Sequence, residues 1–186
     1  MKLFIKNMVS NRCKMIVKSE LKKLGLHYIL VELGEVEIFE NISEEQHNSL
    51  NASLKKTGLV LIDDKKSILI EKIKNIIIEF VHYSNEKLKI NFSNFLSEKL
   101  NYDYTYLANI FSEKQGTTIE HFILTHKIER VKELLIYDEL NLTQIADRLH
   151  YSSVAHLSNQ FKKITGLNPS QYKNLKLRYR KPLENM

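Results

Sequence analysis

The sequence LTQIADRLHYSSVAHLSNQFKKITGLNPSQYK, residues 142–173, decides the fold of the carboxy-terminal half of this chain. Asn141 and Gln144 have the spacing of a capping box, which marks the start of a helix. The apolar residues that follow lie on one helical face: Leu142, Ile145, Ala146 and Leu149. The pattern predicts a short helix that ends at His150 and Tyr151.

A second helix is predicted after a tight turn. Ser152 or Ser153 can cap its start, and Gly166 ends it because glycine readily adopts the left-handed conformation at a helix terminus. Its apolar residues share one face: Val154, Leu157, Phe161 and Ile164. Asn168 and Pro169 then cap and begin a third helix. Two short helices joined by a tight turn, the second with polar residues outward, form the helix-turn-helix motif that enters DNA grooves.

An earlier segment repeats this pattern. A shift of 50 residues places Leu107 on Leu157, Phe111 on Phe161 and Gly116 on Gly166, and a shift of 49 places Leu100 on Leu149. The turn is therefore one residue shorter in the first copy. Asp103 is placed to cap a helix that runs through Gln115 and ends at Gly116. The sequence predicts two helix-turn-helix motifs.

A long amphipathic helix is predicted between the two motifs. Thr117 or Thr118, followed by Glu120, can begin it. Its apolar residues lie along the inward side: Ile119, Phe122, Ile123, Ile128, Val131, Leu134 and Leu135. At ~1.5 Å per residue, about 18 residues span roughly 27 Å, comparable with the ~34 Å between successive major-groove faces of a duplex. One subunit is therefore expected to read two adjacent grooves.

The spacing I-A-x-x-L-x-Y-S-S at 145–153, followed by F-K-K-I-T-G-L-N-P-S-Q-Y at 161–172, resembles the carboxy-terminal DNA-binding half of the AraC/XylS family of bacterial transcription regulators. That half carries two helix-turn-helix motifs in one all-α domain. Most of the family has glycine where this chain has His150, and histidine is among the non-glycine residues that tolerate a left-handed backbone. The resemblance implies a sequence-specific transcriptional regulator whose partner is double-stranded DNA.

The resemblance also assigns DNA contacts to the outward residues of the second helix of each motif. In the first motif these residues are Tyr104, Thr105, Ala108, Asn109 and Ser112. In the second motif they are Ser152, Ser153, Val154, Ala155, His156, Ser158, Asn159 and Gln160, with Lys162 and Lys163 as phosphate contacts. Neither helix carries arginine, the usual reader of guanine, so we expect an A·T-leaning site with shape readout. Tyr102, Tyr151 and Tyr172 are predicted to pack rather than to stack on bases.

The amino-terminal part alternates strand and helix signals over short intervals. The predicted elements are a strand at Lys2–Asn7, a helix at Asn11–Leu24, strands at Tyr28–Glu32 and Val36–Phe39, a helix from Ser43, and a strand at Leu59–Ile62. The two middle strands flank the turn at residues 33–35, which is a hairpin signal. The order βαββαβ is that of the ferredoxin-like fold, so the chain is predicted to be an α+β protein.

This part of the chain also resembles the small heavy-metal-associated domains of copper chaperones and metal-transporting ATPases. In those domains M-x-C-x-x-C follows the first strand, and its two thiolates hold a soft metal ion. Here residues 8–13 are MVSNRC, so Ser10 stands where the first cysteine would be. A serine hydroxyl is a poor ligand for Cu(I), so no cofactor is predicted within one chain.

Three alternatives remain open for Cys13. It is a structural residue near a helix start, or it shares a soft metal ion with the Cys13 of a second subunit, or it is a redox-responsive thiol. The last alternative follows because a helix amino terminus beside Arg12 and Lys14 can lower the pKa of a thiol. A metal- or redox-responsive regulator that uses Cys13 is therefore the alternative function.

A helix is also predicted between the two domains. Its apolar residues are Ile68, Leu69, Ile73, Ile76, Ile77, Phe80 and Val81. Its length and interleaved charges favour helix over strand despite the isoleucine content. The apolar face can pack within the chain or against a second copy, so a homodimer is an open alternative. The predicted organisation is a ferredoxin-like domain at 1–63, a connecting helix at 64–84, the DNA-binding domain at 85–176 and a basic tail at 177–186.

Composition excludes several classes of protein. One cysteine cannot form an internal disulfide framework. No apolar run is long enough for a membrane span and no secretory signal is present, so a cytoplasmic protein without membrane contact is expected. No phosphate-binding glycine loop or nucleophile elbow indicates an enzyme. The net charge of +6 is compatible with nucleic acid. The sequence does not identify an effector, whether small molecule or metal.

Overall fold

The computed structural model describes residues 1–83, 90–137 and 140–179, with side chains described as far as residue 175. Contacts divide the chain into two units. The first unit comprises Met1–Ile78 and Leu96–Ile110, and the second comprises Glu79–Phe95 and the chain from Phe111 onward. None of the helices described is long and apolar enough to cross a membrane.

Strands and helices alternate at the start of the first unit in the predicted order. They are β1 (Lys2–Lys6), α1 (Asn11–Lys23), β2 (Tyr28–Glu32), β3 (Glu35–Ile38), α2 (Glu44–Lys55) and β4 (Val60–Ile62). The four strands pair antiparallel in the order β2-β3-β1-β4. β1 ends one residue before the predicted end because Asn7 has a φ of +71°, which an extended strand does not allow. The α+β class and the β/α order of this region are confirmed.

The alternation of apolar residues gives this sheet one buried face. Leu3 and Ile5 of β1, and Val36 and Ile38 of β3, are each no more than 4% exposed. They belong to one core with buried residues of the two helices: Val17, Leu21, Leu50 and Leu54. Burying one aliphatic side chain contributes about 1.5–3 kcal/mol, more than a typical surface ion pair. Apolar burial therefore holds the sheet to its helices.

Helix α3 (Lys65–Ile78) also belongs to the first unit, which confirms the helical prediction for this isoleucine-rich segment. Two buried polar side chains of α3 bond to the sheet. Glu71 Oε2 accepts a hydrogen bond from the backbone nitrogen of Asn7 at 3.3 Å. Asn75 Nδ2 donates to the carbonyl oxygen of Leu33 at 3.0 Å. These contacts attach α3 to the end of β1 and to the hairpin turn.

The hairpin turn between β2 and β3 leaves no room for a side chain at Gly34. Its φ is +81°, and a Cβ built there would collide with the side-chain amide of Asn75. Its carbonyl oxygen accepts a hydrogen bond from the backbone nitrogen of Ile5 at 3.0 Å. The glycine predicted at this turn is thus required by both conformation and space.

Within the described residues, a π-helical turn at Glu79–Tyr83 precedes a series of helices. They are α4 (Phe92–Leu100), α5 (Tyr104–Gln115), α6 (Ile119–Tyr137), α7 (Leu142–Arg148), α8 (Val154–Thr165) and α9 (Pro169–Tyr179). Thr118 Oγ1 caps α6 by accepting a hydrogen bond from the backbone nitrogen of His121 at 3.1 Å. Asn141 and Gln144 form the predicted capping box of α7. The predicted helices and their order are confirmed.

The core of the second unit is formed by α6, α7 and α8. Its buried residues are Ile128, Val131, Leu134, Leu135, Ile145, Ala146, Leu149, Tyr151, Leu157 and Phe161. The Phe161 ring meets the Tyr172 ring of α9 at a near-perpendicular angle of 75°, with centroids 5.5 Å apart. Tyr151 is only 9% exposed. The prediction that Tyr151 and Tyr172 are packing residues is confirmed.

Candidate nucleic-acid interface

Helix α8 buries one face and exposes the other. Leu157 and Phe161 are fully buried. The predicted contact residues Ser152, Ser153, Ala155, His156, Asn159, Lys162 and Lys163 are exposed, and Val154, Ser158 and Gln160 are half-buried. Asn159 is two residues from both Leu157 and Phe161, and side chains two residues apart on a helix point to opposite sides. The exposed Asn159 therefore projects from the side of α8 opposite the core. The structure therefore brings the predicted residues of this motif to one accessible surface.

The first turn of α8 is held in place by hydrogen bonds within the protein. Ser153 Oγ accepts from the backbone nitrogen of His156 at 3.1 Å. Ser152 Oγ lies 3.0 Å from Nδ1 of the same histidine. The His156 ring also meets the Tyr151 ring nearly at a right angle, with centroids 5.4 Å apart. The His156 side chain is thus held in place by contacts within the protein.

Lys162 and Lys163 lie in the last turn of α8. Cations at this position interact favourably with the helix dipole, whether or not DNA is bound. Both side chains are exposed, as a phosphate contact requires.

Helix α5 has the same arrangement. Asp103 Oδ1 accepts hydrogen bonds from the backbone nitrogens of Thr105 at 2.8 Å and Tyr106 at 3.3 Å, as its predicted cap position requires. The predicted contact residues Thr105 and Asn109 are exposed, whereas Tyr104, Ala108 and Ser112 are half-buried. Leu107, Ile110 and Phe111 are buried. The predicted residues therefore lie away from the buried side of α5.

An exposed tyrosine pair was missed by the sequence prediction. Tyr102 is 50% exposed and Tyr106 is 42% exposed. Their rings stack with centroids 5.5 Å apart and an interplanar angle of 25°. Tyr102 therefore packs against another tyrosine while half of its own surface stays exposed, and its predicted role as a packing residue rather than a base-stacking one stays a prediction. The signal was two tyrosines four residues apart on either side of the Asp103 cap.

Both helix-turn-helix turns place a non-glycine residue in the left-handed conformation. His150 has a φ of +58°, as the comparison with the family pattern predicted. Asn101, one residue after Leu100 in the first motif, has a φ of +57°. Asparagine and histidine are among the residues that tolerate this conformation best. Each turn therefore contains one left-handed residue, although the first turn is the shorter of the two.

A lysine that the sequence prediction missed fixes the turn of the second motif to α6. Lys127 Nζ donates a hydrogen bond to the carbonyl oxygen of Leu149 at 2.9 Å. The same nitrogen lies 5.1 Å from the centroid of the Tyr151 ring. Burial lowers the pKa of Lys127 and raises the pKa of Tyr151 to about 12. Lys127 thus has a structural partner on the neighbouring turn.

Cys13 lies in the first turn of α1, half-buried against the core of the sheet. Its Sγ is 3.6 Å from Ser10 Oγ, the position where the metal-domain pattern has a cysteine. Burial raises the pKa of Cys13, but hydrogen bonds from Ser10 and from nearby backbone amides outweigh burial and lower it overall. The lowering therefore does not come from Arg12 and Lys14, as the sequence suggested.

Comparisons with known proteins identify the helical part. A family model described as "Helix-turn-helix domain" matches residues 96–175. A transcriptional regulator of HTH type from Staphylococcus aureus is 36% identical over 78 residues, which are 42% of this chain and 10% of that protein. The HTH-type transcriptional regulator YtdP of Bacillus subtilis is 22% identical over 160 residues, covering 81% of this chain and 20% of YtdP. The chain thus spans a tenth to a fifth of these relatives.

A solved structure is also similar. The C-terminal domain of AraT, a response regulator from Geobacillus stearothermophilus, superposes with a TM-score of 0.52. The sequences are 27% identical, and the match covers 66% of this chain and 94% of that one. The similarity therefore takes in nearly the whole of the AraT domain.

Proposed function

We propose that residues 96–175, which match a family model described as a helix-turn-helix domain, are a DNA-binding domain of the AraC family. We propose further that the whole chain is a sequence-specific transcriptional regulator. Helices α5 and α8 each enter one of two adjacent major grooves. The observation that carries this proposal is that both helices expose polar residues opposite fully buried ones, Leu107 and Phe111 in α5 and Leu157 and Phe161 in α8. The relatives are described as transcriptional regulators, which favours this function over an enzyme.

The contacts that we propose follow from the chemistry of the exposed residues. Asn159 and Asn109 can each bond the edge of an adenine with two hydrogen bonds. Ala155 contacts a thymine methyl group, and Lys163 holds a phosphate. Because neither α5 nor α8 contains arginine, the preferred site is A·T-rich and is read partly through its shape.

Selection from random duplexes, followed by footprinting on the winning sequence, tests this proposal. We expect two protected major-groove segments about one helical turn apart, roughly 34–36 Å. Protection of one groove only would contradict the two-helix model. Equal binding to the selected and to random sequences would contradict sequence-specific recognition altogether.

We further propose that the amino-terminal region has a ferredoxin-like fold related to heavy-metal-associated domains and serves sensing or dimerisation. The β1-α1-β2-β3-α2-β4 order and the antiparallel β2-β3-β1-β4 sheet support this proposal. The proposed boundaries are 1–63, 64–84 and 85–176, with a basic tail at 177–186, of which 180–186 lie outside the described residues. Sedimentation of the full chain at several concentrations would reveal a homodimer as a concentration-dependent increase in mass.

A redox response through Cys13 is a second candidate function, favoured by the lowered pKa of its thiol. DNA affinity would then differ between oxidising and reducing conditions in the wild type, and Cys13→Ala would abolish the difference. Identical affinities of the wild type under both conditions would exclude this function. The DNA-binding proposal would stand in either case.

A further inference from the structure

The stacked tyrosine pair of the first helix-turn-helix motif carries two hydroxyl groups that the fold does not use. Tyr102 lies in the turn before α5, and Tyr106 lies in the first turn of α5. Neither hydroxyl has a hydrogen-bond partner among the described residues. Both side chains are exposed, so the pair offers two hydroxyl donors at the surface.

This pair borders the residues that are proposed to read the first groove. Side chains three positions apart on a helix are neighbours, so Tyr106 lies beside Asn109, and both are exposed. Tyr102 stacks on Tyr106 and extends the same surface beyond the end of α5. The pair is therefore continuous with the proposed reading face.

The second motif has an aromatic pair at the same two positions, but there the tyrosine is covered. The shifts of 49 and 50 residues that relate the motifs place Tyr102 on Tyr151 and Tyr106 on His156. Tyr151 is buried, and Lys127 Nζ lies 5.1 Å from the centroid of its ring. An aromatic pair thus joins the turn to the helix in both motifs, but only the first motif exposes both members.

The first motif also differs in the residues that it offers to phosphates. A shift of 50 residues places Ser112 on Lys162 and Glu113 on Lys163, so the two adjacent lysines have no counterpart. Contacts with the phosphate backbone hold a DNA-binding protein in register, and tyrosine hydroxyls are among the groups that make them. A phenol hydroxyl can donate the hydrogen bond that a phosphate oxygen accepts.

The stacking of the two rings favours phosphate over bases as the partner. An aromatic side chain binds a base through the face of its ring. In this pair the centroids are 5.5 Å apart at an angle of 25°, so each ring already has one face against the other. The hydroxyl groups lie at the ends of the rings and are not involved in the stacking.

We propose that Tyr102 and Tyr106 donate hydrogen bonds from their hydroxyl groups to backbone phosphates beside the first major groove and so position α5 on the duplex. This inference rests on the proposed DNA-binding function and adds two contact residues to it. The contacts are neutral. They add affinity for all sequences alike and leave the salt dependence of binding unchanged, because they release no counterions.

Phenylalanine substitutions test the proposal, because they remove only the hydroxyl oxygen and keep the stacked rings. Tyr102→Phe and Tyr106→Phe should each weaken binding to the selected and to random duplexes by roughly two- to tenfold, the net value of one neutral hydrogen bond. The slope of log affinity against log salt should stay that of the wild type. The matched control is Tyr28→Phe, a similarly exposed tyrosine on β2, which should bind DNA like the wild type.

Phosphate ethylation interference on the selected duplex locates the contacts. Each Phe variant should lose the interference at one phosphate beside a protected groove, with an unchanged melting temperature. Wild-type affinity in both Phe variants would overturn the tyrosine contacts and leave the regulator function intact, and it is the result expected if the rings stack on bases. A loss confined to the selected duplex would also overturn the phosphate contacts. Failure of the wild type to bind any duplex would overturn both proposals.

Discussion

The two helix-turn-helix motifs have similar turns and differ in surface chemistry. Each turn contains a left-handed residue, Asn101 in the first motif and His150 in the second. The first motif displays a stacked tyrosine pair, and its second helix nears its end with Glu113 and Lys114. The second motif displays His156, and its helix nears its end with two lysines. Local caps therefore fix the fold of each motif, whereas the outward residues can differ between them. Because the second motif carries two exposed lysines, we expect it to contribute most of the affinity for phosphate.

The largest expected effect comes from removing one large buried side chain from the core of either motif. Phe111→Ala and Phe161→Ala each remove a fully buried ring, which should lower the free energy of unfolding by about 3–5 kcal/mol. Denaturant titration measures the loss. In footprints, Phe161→Ala should lose protection of one groove and Phe111→Ala of the other. Loss of less than about 1 kcal/mol in one variant would show that its motif tolerates a cavity that the other does not.

Removing the lysine that supports the second turn should have the next largest effect. Lys127→Met leaves the carbonyl oxygen of Leu149 without its donor, at a cost of about 1–3 kcal/mol in unfolding free energy. Lys132→Met is the matched control, because its ion pair with Glu129 within the same helix is worth only about 0.3–0.5 kcal/mol. If the free energy of unfolding falls equally in both variants, the hydrogen bond from Lys127 to the turn does not contribute to stability.

A base contact and a phosphate contact should be separable in the second motif. Asn159→Ala should weaken binding to the preferred site by about 1–3 kcal/mol and relax one base position. Lys163→Ala should weaken all sequences alike and reduce the salt dependence by about one charge. Fluorescence anisotropy on preferred and random duplexes gives both quantities, with Lys114→Ala as the control from the first motif. Equal losses on both duplexes for Asn159→Ala would contradict its assignment to a base.

The smallest expected effect is a difference in backbone strain between the two turns. His150→Gly relieves a left-handed histidine and should raise the free energy of unfolding by about 0.5 kcal/mol, whereas Asn101→Gly should change it by less because asparagine tolerates this conformation better. Differential scanning calorimetry can resolve the two melting temperatures. A larger gain for Asn101→Gly would show that strain is greater in the first turn.

Local signals made most of the fold predictable. Helix caps bond only to neighbouring residues, so their positions can be predicted from sequence spacing. Examples are Asn141 with Gln144, Asp103, and Gly166. The left-handed conformation at His150 was predictable for the same reason. Element order in the amino-terminal region followed from alternating apolar residues. Strand ends differed by one residue: β1 ends at Lys6, β3 spans Glu35–Ile38 rather than Val36–Phe39, and β4 begins at Val60 rather than Leu59.

Long-range contacts were not predictable. The hydrogen bond from Lys127 to Leu149 joins residues 22 positions apart, and the hydrogen bond between His82 Nε2 and His126 Nδ1, at 3.4 Å, joins residues 44 positions apart. Neither pair has a spacing that identifies it, because helix packing brings its members together. The stacking of Tyr102 on Tyr106 was also not predicted, since an aromatic residue beside a cap can lie on either side of the chain. The cause of the lowered pKa of Cys13 was missed because it depends on hydrogen-bond geometry.

Gly34 has a consequence for mutational tolerance. Hairpin turns are ordinarily among the positions where a protein accepts substitutions and insertions most readily. Here the turn is covered by Asn75, whose amide occupies the space of any side chain at position 34. In a scan of all substitutions, position 34 should therefore behave like a core position, and replacements that shorten Asn75 should partly restore tolerance there.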